Sequence, residues 1–547
     1  MNGIVTLQGA KLMLGNTALT STSLIPGDHV SMNSDGTYVL VKREPQVAIG
    51  IVDTCDIQSA TVCLATLPPA CPFRLTLPNT HTYSVGDRLI LWLDDNGEYE
   101  IRGKYPRSRK FDADCIVAAY NVYRCRHLVP EVYGPNHYTR QERVDLTHLK
   151  TFTIDPATSV DFDDAISVDV ENSTLYIHIV DIKSVNISHK IPLLCFSLYL
   201  ANERTEHLLP IEDAAHTYSL VKGAVRNVIT VHAKVVDGMV ESYEIYPSKI
   251  LVKDRWSYEQ VAEQFCKGTA SPEFQMLANL HKKRSKDIEY SLQLPSLRMT
   301  IGVNGLPTEM GLEDTNDISH GIISTPMILA NLIVSKHLRE KGLHLPNRFH
   351  DTLRGILKHY KPIDTGNPTV DSFILVKRFA KACYSVDKSG HFGLGLTDYV
   401  HFTSPMRRYA DVLVHKLLAG WEITEQQLEE EVAHINQRAN TCRILQDLYR
   451  QWKRCAWISS RAVLDTVYIT DVKKVGVMWF MPSLSLNGFT HISNLSPKQF
   501  WSWNEEEQYL VGTKTAHKIC LGTKCTGSFQ SFSHHGATVN MTLTLLD

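Results

Sequence analysis

Short apolar runs dominate the first hundred residues: YVLVKRE, QVAIGIVD, TVCLATL and FRLTL are β-branched or aromatic and are separated by Gly, Pro, Asn and Asp. That texture predicts brief strands of a small barrel. The segments Pro26–Leu40 and Val85–Ile101 echo each other, each running from Gly-Asp through an apolar strand and an Asp/Gly turn to a Tyr-containing return strand. The echo predicts two small β-units in tandem. From about Arg143 to Gly420 the pattern changes. Strand-like LYIHIVDI and VRNVITVHAKVV alternate with helix-like PMILANLIVSKHLREKG and SPMRRYADVLVHKLLAG, as expected of a mixed α/β core. A helical stretch from about Ile423 to Leu464 follows, with Arg438, Arg443, Arg450, Lys453, Arg454 and Arg461 among apolar positions, a basic side that could face a polyanion. The last eighty or so residues return to short strands, DTVYITDVKKVGVMWFMPSLSLNGFTHISNL and VNMTLTLL.

The expected architecture is therefore multidomain: a β region at 1–142, an α/β (α+β) core with C-terminal helices at 143–464, and a second barrel at 465–547. Small five-stranded barrels of this kind commonly bind oligonucleotides.

Composition narrows the class without choosing a partner. The 547 residues carry 56 Lys plus Arg against 58 Asp plus Glu, so net charge argues neither for nor against nucleic acid. Five of the nine residues from Arg102 to Lys110 are basic, either a solvated linker or a grip on phosphates. No CxxC pair or finger-spaced His pair accompanies the twelve cysteines, so neither structural zinc nor a disulfide framework is expected. The N-terminus shows no leader pattern, and a soluble, cytoplasmic chain without membrane contact is the expectation.

The densest chemical signal is TFTIDPATSVDFDDAISVDV, which places Asp155, Asp161, Asp163 and Asp164 within ten residues of an apolar frame. Carboxylates that close repel one another, and hard oxygen ligands of this kind suit Mg²⁺, with Mn²⁺ as the alternative. A solvated acidic turn is the plain alternative; a calcium loop fits less well, since the central Gly and closing Glu of an EF-hand are missing. The second signal is HFGLGLTDYVHFTSPMRRYADVLVHKLLAG. Ser404-Pro405 can open a helix, which would put Arg407 and Arg408 in its first turns against the dipole, a cost that a nearby anion would offset. Arginine suits bidentate phosphate contact. The plain alternative is an Arg pair bridged to Asp398 or Asp411.

These two segments resemble the signatures of the ribonuclease II/R (RNB) family, which includes the catalytic subunit of the eukaryotic exosome. SLYLANERTEHLLP, YSLVKGAVRNVITV and PMILAN are similar to the segments between them, in the same order. The resemblance implies an RNB-type core flanked by OB-fold barrels and processive, metal-dependent 3′→5′ hydrolysis of single-stranded RNA to nucleoside 5′-monophosphates. Carried over, Asp155, Asp161 and Asp164 would be metal ligands, Asp163 the acid tied to cleavage, and Arg407 the phosphate holder. Tyr199 would stack on the 3′-terminal base, with Arg408 and Gln446 as further RNA contacts. Departures are Gln446-Asp447 in the helix after the core and Thr325-Pro326 where the family carries an acidic pair. The second stacking aromatic stays open among Phe349, His350 and Tyr360. The competing readings are a catalytically weak or inactive RNA-binding relative and a DNA-directed nuclease; retention of all four acids favours the enzyme.

Overall fold

The computed structural model describes residues 2–545 except 9–10, 15–16, 20–28, 34–36, 43–45, 57–58, 66–73, 79–82, 94–97, 107–111, 125–141, 183–193, 202, 289–291, 314–316, 352–362, 462–463 and 534–537. Tyr360 and the end of the basic run at 102–110 lie outside the described residues.

Two five-stranded sheets open the chain. The first holds β1 (Asn2–Gln8), β2 (Lys11–Leu14), β3 (Thr17–Leu19), β4 (His29–Met32) and β5 (Tyr38–Lys42) in the order β3-β2-β1-β4-β5. The second holds β6 (Gln46–Cys55), β7 (Ser59–Leu64), β8 (Arg74–Pro78), β9 (Arg88–Leu93) and β10 (Tyr99–Tyr105) in the order β10-β9-β6-β7-β8. The two segments that echo each other in sequence are antiparallel hairpins, β4–β5 and β9–β10. Alternation explains the second sheet, since Ala60, Val62 and Leu64 of β7 point inward while their neighbours do not.

A correction follows at α1 (Asp112–Arg124), which the strand reading had grouped with the β region. Its Cys115, Ile116, Ala119 and Tyr120 are buried in the same cluster as core residues Phe162, Leu198, Tyr409 and Trp452. The apolar positions recur at helical spacing, so the helix docks on the core as well as on β6 and β9.

The core sheet contains β11 (Val144–Asp145), β12 (Thr151–Asp155), β13 (Asp164–Asp169), β14 (Thr174–Val180), β17 (Val225–Val236) and β18 (Met239–Ser257). β18 is long enough to pair with three strands, β11, β12 and β17. Its residues Met239 to Leu251 run antiparallel to β17 and Val252 to Ser257 run parallel to β12, so the sheet curls back on itself. A hairpin of β15 (Leu198–Leu200) and β16 (Arg204–Glu206) stands beside it. One face of the sheet packs Phe152, Ile154, Ile166, Ile177 and Val231 against α3 (Pro272–Arg284) and α4 (Ile318–Glu340), with α2 (Tyr258–Cys266) beginning directly at the end of β18. α4 is long and apolar enough to cross a membrane, yet 67% of its apolar window is buried inside the protein, where it serves as the central core helix. Between α3 and α4 lies the hairpin β19 (Ser296–Ile301) and β20 (Pro307–Glu313), and after α4 come β21 (Asn347–Phe349), α5 (Pro368–Val376) and β22 (Cys383–Ser385).

Helix α6 (Tyr409–Leu418) is buried on all sides between the two main clusters, its Asp411, His415 and Lys416 included. Helix α7 (Glu425–Ser459) starts in a capping box in which Thr424 and Gln427 exchange side-chain bonds to backbone N–H groups. Its far end carries Cys455 and Ile458 into the core of the C-terminal barrel. There β23 (Leu464–Lys473), β24 (Gly476–Met481), β25 (Leu486–His491), β26 (Leu495–Ser496), β30 (Lys524–Ser533) and β31 (Thr538–Leu545) form a six-stranded sheet, with the three-stranded β27 (Trp501–Asn504), β28 (Tyr509–Gly512) and β29 (Lys518–Ile519) inserted. Trp479 fills the barrel, and its indole N–H donates to Thr490 Oγ1 at 3.0 Å.

Candidate active site

Asp155 closes β12 and Asp164 opens β13, so the irregular loop between them brings both ends of the acidic run to one edge of the sheet. Apolar neighbours hold the edge down: Ile154 and Phe162 are buried, and Asp164 pairs in register with Ile179 of β14. The four carboxylates then diverge. Asp163 is 5% exposed, and its Oδ1 accepts the Met406 N–H at 2.8 Å while Oδ2 lies 3.5 Å from Arg407 Nε. Asp161 accepts the Tyr199 hydroxyl at 3.0 Å and lies 3.8 Å from His207 Nδ1. Asp155 Oδ2 is buried without a hydrogen-bond partner. Among the described residues the three carboxylates whose oxygens all come within 4.8 Å of one another are instead the exposed Asp387, Glu425 and Glu429; the acidic run is not drawn that close, because Asp161 and Asp163 turn toward other donors.

Burial governs the acidity of the cluster. It pushes Asp155 well above the ordinary carboxylate range, helped by the negative Asp164 and Asp163 and opposed by Arg255. It pushes Asp163 up to about 7 against the opposing pull of Arg407 and the Met406 N–H. Asp164 is raised for the same reason, with Arg407 and Arg408 opposing. A protein that buries this much carboxylate with too few cations of its own presents a place for a divalent ion.

The second signature forms the opposite wall. Helix α6 begins only at Tyr409, a correction to the expectation that Ser404-Pro405 opens it; residues 404–408 are a turn, and Arg408 has extended backbone at the helix cap. The turn runs against residues 195–197, with Ser197 N–H donating to Arg407 O at 3.0 Å and Tyr409 N–H to Cys195 O at 2.8 Å. Arg407 and the strand of Tyr199 are thereby fixed to each other through backbone. Arg407 Nη2 donates to Ser404 Oγ at 3.0 Å, and its side chain is still 44% exposed toward the acids. Arg408 turns the other way, and its Nη2 donates to the fully buried Asp411 at 2.8 Å, beside the Ser404 N–H on the same carboxylate oxygen. Of the twin arginines only Arg407 faces the cluster.

Tyr199 is the outward residue of β15, 36% exposed between buried Leu198 and Leu200. Gln446 of α7 reaches it from below, with Nε2 at 3.5 Å from Tyr199 O. His350, one candidate for the second stacker, is fixed instead, accepting the Gly393 N–H at 3.1 Å on Nδ1 and bonding Ala380 O at 2.9 Å through Nε2. Phe349 lies under the Lys388 ammonium. Thr325 sits inside α4, bonded to His281 Nδ1 at 2.8 Å.

The basic side expected on α7 is a second correction. Arg438 and Lys453 are 0% exposed. Arg438 lies over the Tyr120 ring, and Lys453 bonds Gly305 O at 2.8 Å and bridges Glu203 at 3.1 Å and Asp112 at 3.7 Å. Arg443 and Arg450 flank Asp447 on their own helix, and Arg461 stacks on Trp457. Arg438 and Lys453 thus hold the protein together, while Arg443, Arg450 and Arg461 stay at the surface.

Tyr258, missed from sequence, stands next to the acids: burial first and then Asp155 and Asp164 raise its hydroxyl, and its ring stacks on His320 at 3.9 Å. Nothing in WSYEQ marks it, since Ser257-Tyr258 reads as an ordinary cap and first helical residue.

Residues 143–422 match the RNB domain family model. The chain is 26% identical over 532 residues to Ribonuclease R of Chlamydia muridarum, covering 85% of this chain and 76% of that protein. Its fold is similar to that of Mycoplasma genitalium RNase R in complex with ribose methylated single-stranded RNA, at a TM-score of 0.78 and 19% identity over 100% of both chains. It is similar also to yeast Ssd1, a pseudonuclease, at a TM-score of 0.66 and 14% identity over 97% of this chain and 82% of that one. At these identities the structural likenesses establish the fold.

Proposed function

Because the chain belongs to the RNB domain family, we propose that it is a metal-dependent 3′→5′ exoribonuclease acting processively on single-stranded RNA in the cytoplasm. The likeness to Ribonuclease R of Chlamydia muridarum supports the activity, and the M. genitalium RNase R complex with single-stranded RNA supports the substrate. The observation that carries the reading is Asp155: a buried carboxylate oxygen without a partner, pressed by Asp163 and Asp164 and offset only in part by Arg255.

The donor set fits a hard divalent cation, Mg²⁺ or Mn²⁺, held by Asp155 and Asp164 with Asp161 in support. Such an ion, when bound, polarises phosphoryl oxygens and lowers the pKa of an attacking water. The protein's own groups do the rest. Arg407 offers its exposed guanidinium to the scissile phosphate, and Asp163 fixes that side chain from behind. Water adds to phosphorus, the bond to the upstream 3′-oxygen breaks, that oxygen takes a proton, and the released nucleotide keeps the 5′-phosphate. Tyr199 holds the terminal base by stacking, with Gln446 beneath its strand. Arg408 acts through Asp411 by holding the 404–408 turn.

The test is direct. Purified protein with a 5′-labelled RNA oligomer and Mg²⁺ should shorten the RNA from its 3′ end and stop in EDTA. A second reading, an inactive RNA-binding protein, draws on the likeness to yeast Ssd1, a pseudonuclease; RNA bound but not shortened in Mg²⁺ or Mn²⁺ would favour it.

A further inference from the structure

Four like charges on an irregular loop will spread apart unless the backbone beneath them is held. Two elements hold this one. On one side Ser219 Oγ donates to Val160 O at 3.0 Å and accepts the Phe162 N–H at 2.9 Å, and the Leu220 N–H donates to Phe162 O at 3.0 Å. On the other side is Arg255. Its Nη2 lies 3.0 Å from Ala157 O, 3.1 Å from Ser159 O and 3.4 Å from Pro156 O, and its guanidinium sits 4.8 Å from the centre of the Phe162 ring. The register explains how it gets there. β18 runs parallel to β12, and Arg255 pairs with Thr153, two residues before Asp155, so its side chain can cover the loop as the chain leaves the strand.

We propose that Arg255 is a positioning residue that holds the 156–162 loop in the arrangement a divalent ion requires, acting through three backbone carbonyls and the Phe162 ring. The inference rests on the reading of the acidic cluster as a metal site. Arg255 reaches the loop through one nitrogen, Nη2, and its charge lies on the Asp155 side of the cluster. A lysine would bring the charge without the flat guanidinium face that lies on the Phe162 ring. Groups that orient metal ligands from behind commonly change metal affinity by about 10- to 100-fold when removed.

The experiment uses the full chain and Mn²⁺ as probe, with free Mn²⁺ followed by electron paramagnetic resonance. Arg255→Ala should bind Mn²⁺ about tenfold more weakly than wild type or worse, and the Mg²⁺ concentration for half-maximal cleavage should rise by a similar factor. RNA affinity in EDTA and kcat at saturating Mg²⁺ should stay within about twofold. Arg255→Lys, which keeps the charge and guards against a folding defect in the alanine variant, should recover only part of the Mn²⁺ affinity. Asp155→Asn separates the two readings. If Asp155→Asn loses Mn²⁺ and Arg255→Ala binds it like wild type, the role of Arg255 is overturned and the metal site stands. If Asp155→Asn binds Mn²⁺ normally, the metal site falls and this proposal with it. Equal losses of RNA and Mn²⁺ affinity in Arg255→Ala would also overturn the proposal, since they would mark a direct RNA contact.

Discussion

Replacing Asp163 with Asn tests the centre of the site with almost no change of shape. Asp163 is 5% exposed and serves two donors, the Met406 N–H at 2.8 Å and Arg407 Nε at 3.5 Å. The amide keeps one carbonyl oxygen, so the bond to Met406 survives. Its nitrogen then faces the guanidinium, donor against donor, and Arg407 loses the anion behind it. A hydrogen bond to a charged group contributes about 1.5–3 kcal/mol. Misplacing the phosphate-holding arginine adds to that in the transition state, so a total of about 3–4 kcal/mol is expected, a 100- to 1,000-fold fall in kcat. Ground-state affinity should move the other way, because one negative charge fewer faces a polyanion. The assay pairs single-turnover cleavage of 5′-labelled RNA at saturating Mg²⁺ with fluorescence anisotropy at fixed salt. Cleavage within about threefold of wild type would refute the role given to Asp163, and so would a loss of RNA affinity as large as the loss of rate.

Tyr199→Ala should lengthen the final undegraded product, because a stacking contact of about 1–3 kcal/mol no longer retains short RNAs; an unchanged limit product on a sizing gel would remove Tyr199 as the stacker. The raised pKa values of Asp155, Asp163 and Asp164 mean that the folded, cation-free protein binds more protons than the unfolded chain from the ordinary carboxylate range up to about neutrality, so its stability falls as pH rises through that window. EDTA-treated protein should therefore melt at lower temperature at pH 8 than at pH 6, saturating Mg²⁺ should narrow the difference, and Mn²⁺ should bind more tightly as pH rises because it displaces those protons; a pH-independent Mn²⁺ affinity would contradict this. A fragment cut at 143–464 should not fold cooperatively, since it strips α1 from the core and takes Asp112 from the fully buried Lys453, a loss of roughly 3 kcal/mol or more. A sharp calorimetric transition at the full-length Tm would show that reasoning to be wrong.

What sequence made legible was local. The four acids announce themselves because they fall within ten residues of an otherwise apolar frame. The strands of the core were visible for the same reason: LYIHIVDI and VRNVITVHAKVV are nearly uninterrupted β-branched runs, and they become β14 and β17. Arg255 and Tyr258 lie some ninety residues after the acids in ordinary-looking strand and helix-cap positions, and only the parallel pairing of β18 with β12 brings them to the site. A pairing between distant strands leaves no trace in either strand alone.

The misreading of α7 has a different cause, and it bears on how the site is held. Basic residues spaced along a helix fit a solvated face and a buried ionic seam equally well, because periodicity reports direction and not what lies there. Here the partners come from three separate segments. Glu203 lies in the turn of the hairpin that carries Tyr199, Asp112 begins α1, Gly305 lies between β19 and β20, and all three meet at Lys453, with Tyr449 one turn earlier donating to Glu203 at 2.6 Å. Arg88 of β9 joins the same seam through Asp112 and lies over Trp452. One buried lysine thus connects the N-terminal barrel, α1, the long helix and the hairpin bearing the outward tyrosine. A charge buried among so many partners is costly to leave unmatched, so these elements keep one mutual arrangement, and Tyr199 is held at a fixed height above Arg407 and the acids. Of the basic residues spaced along α7, Lys453 is therefore committed to setting the geometry of its neighbours.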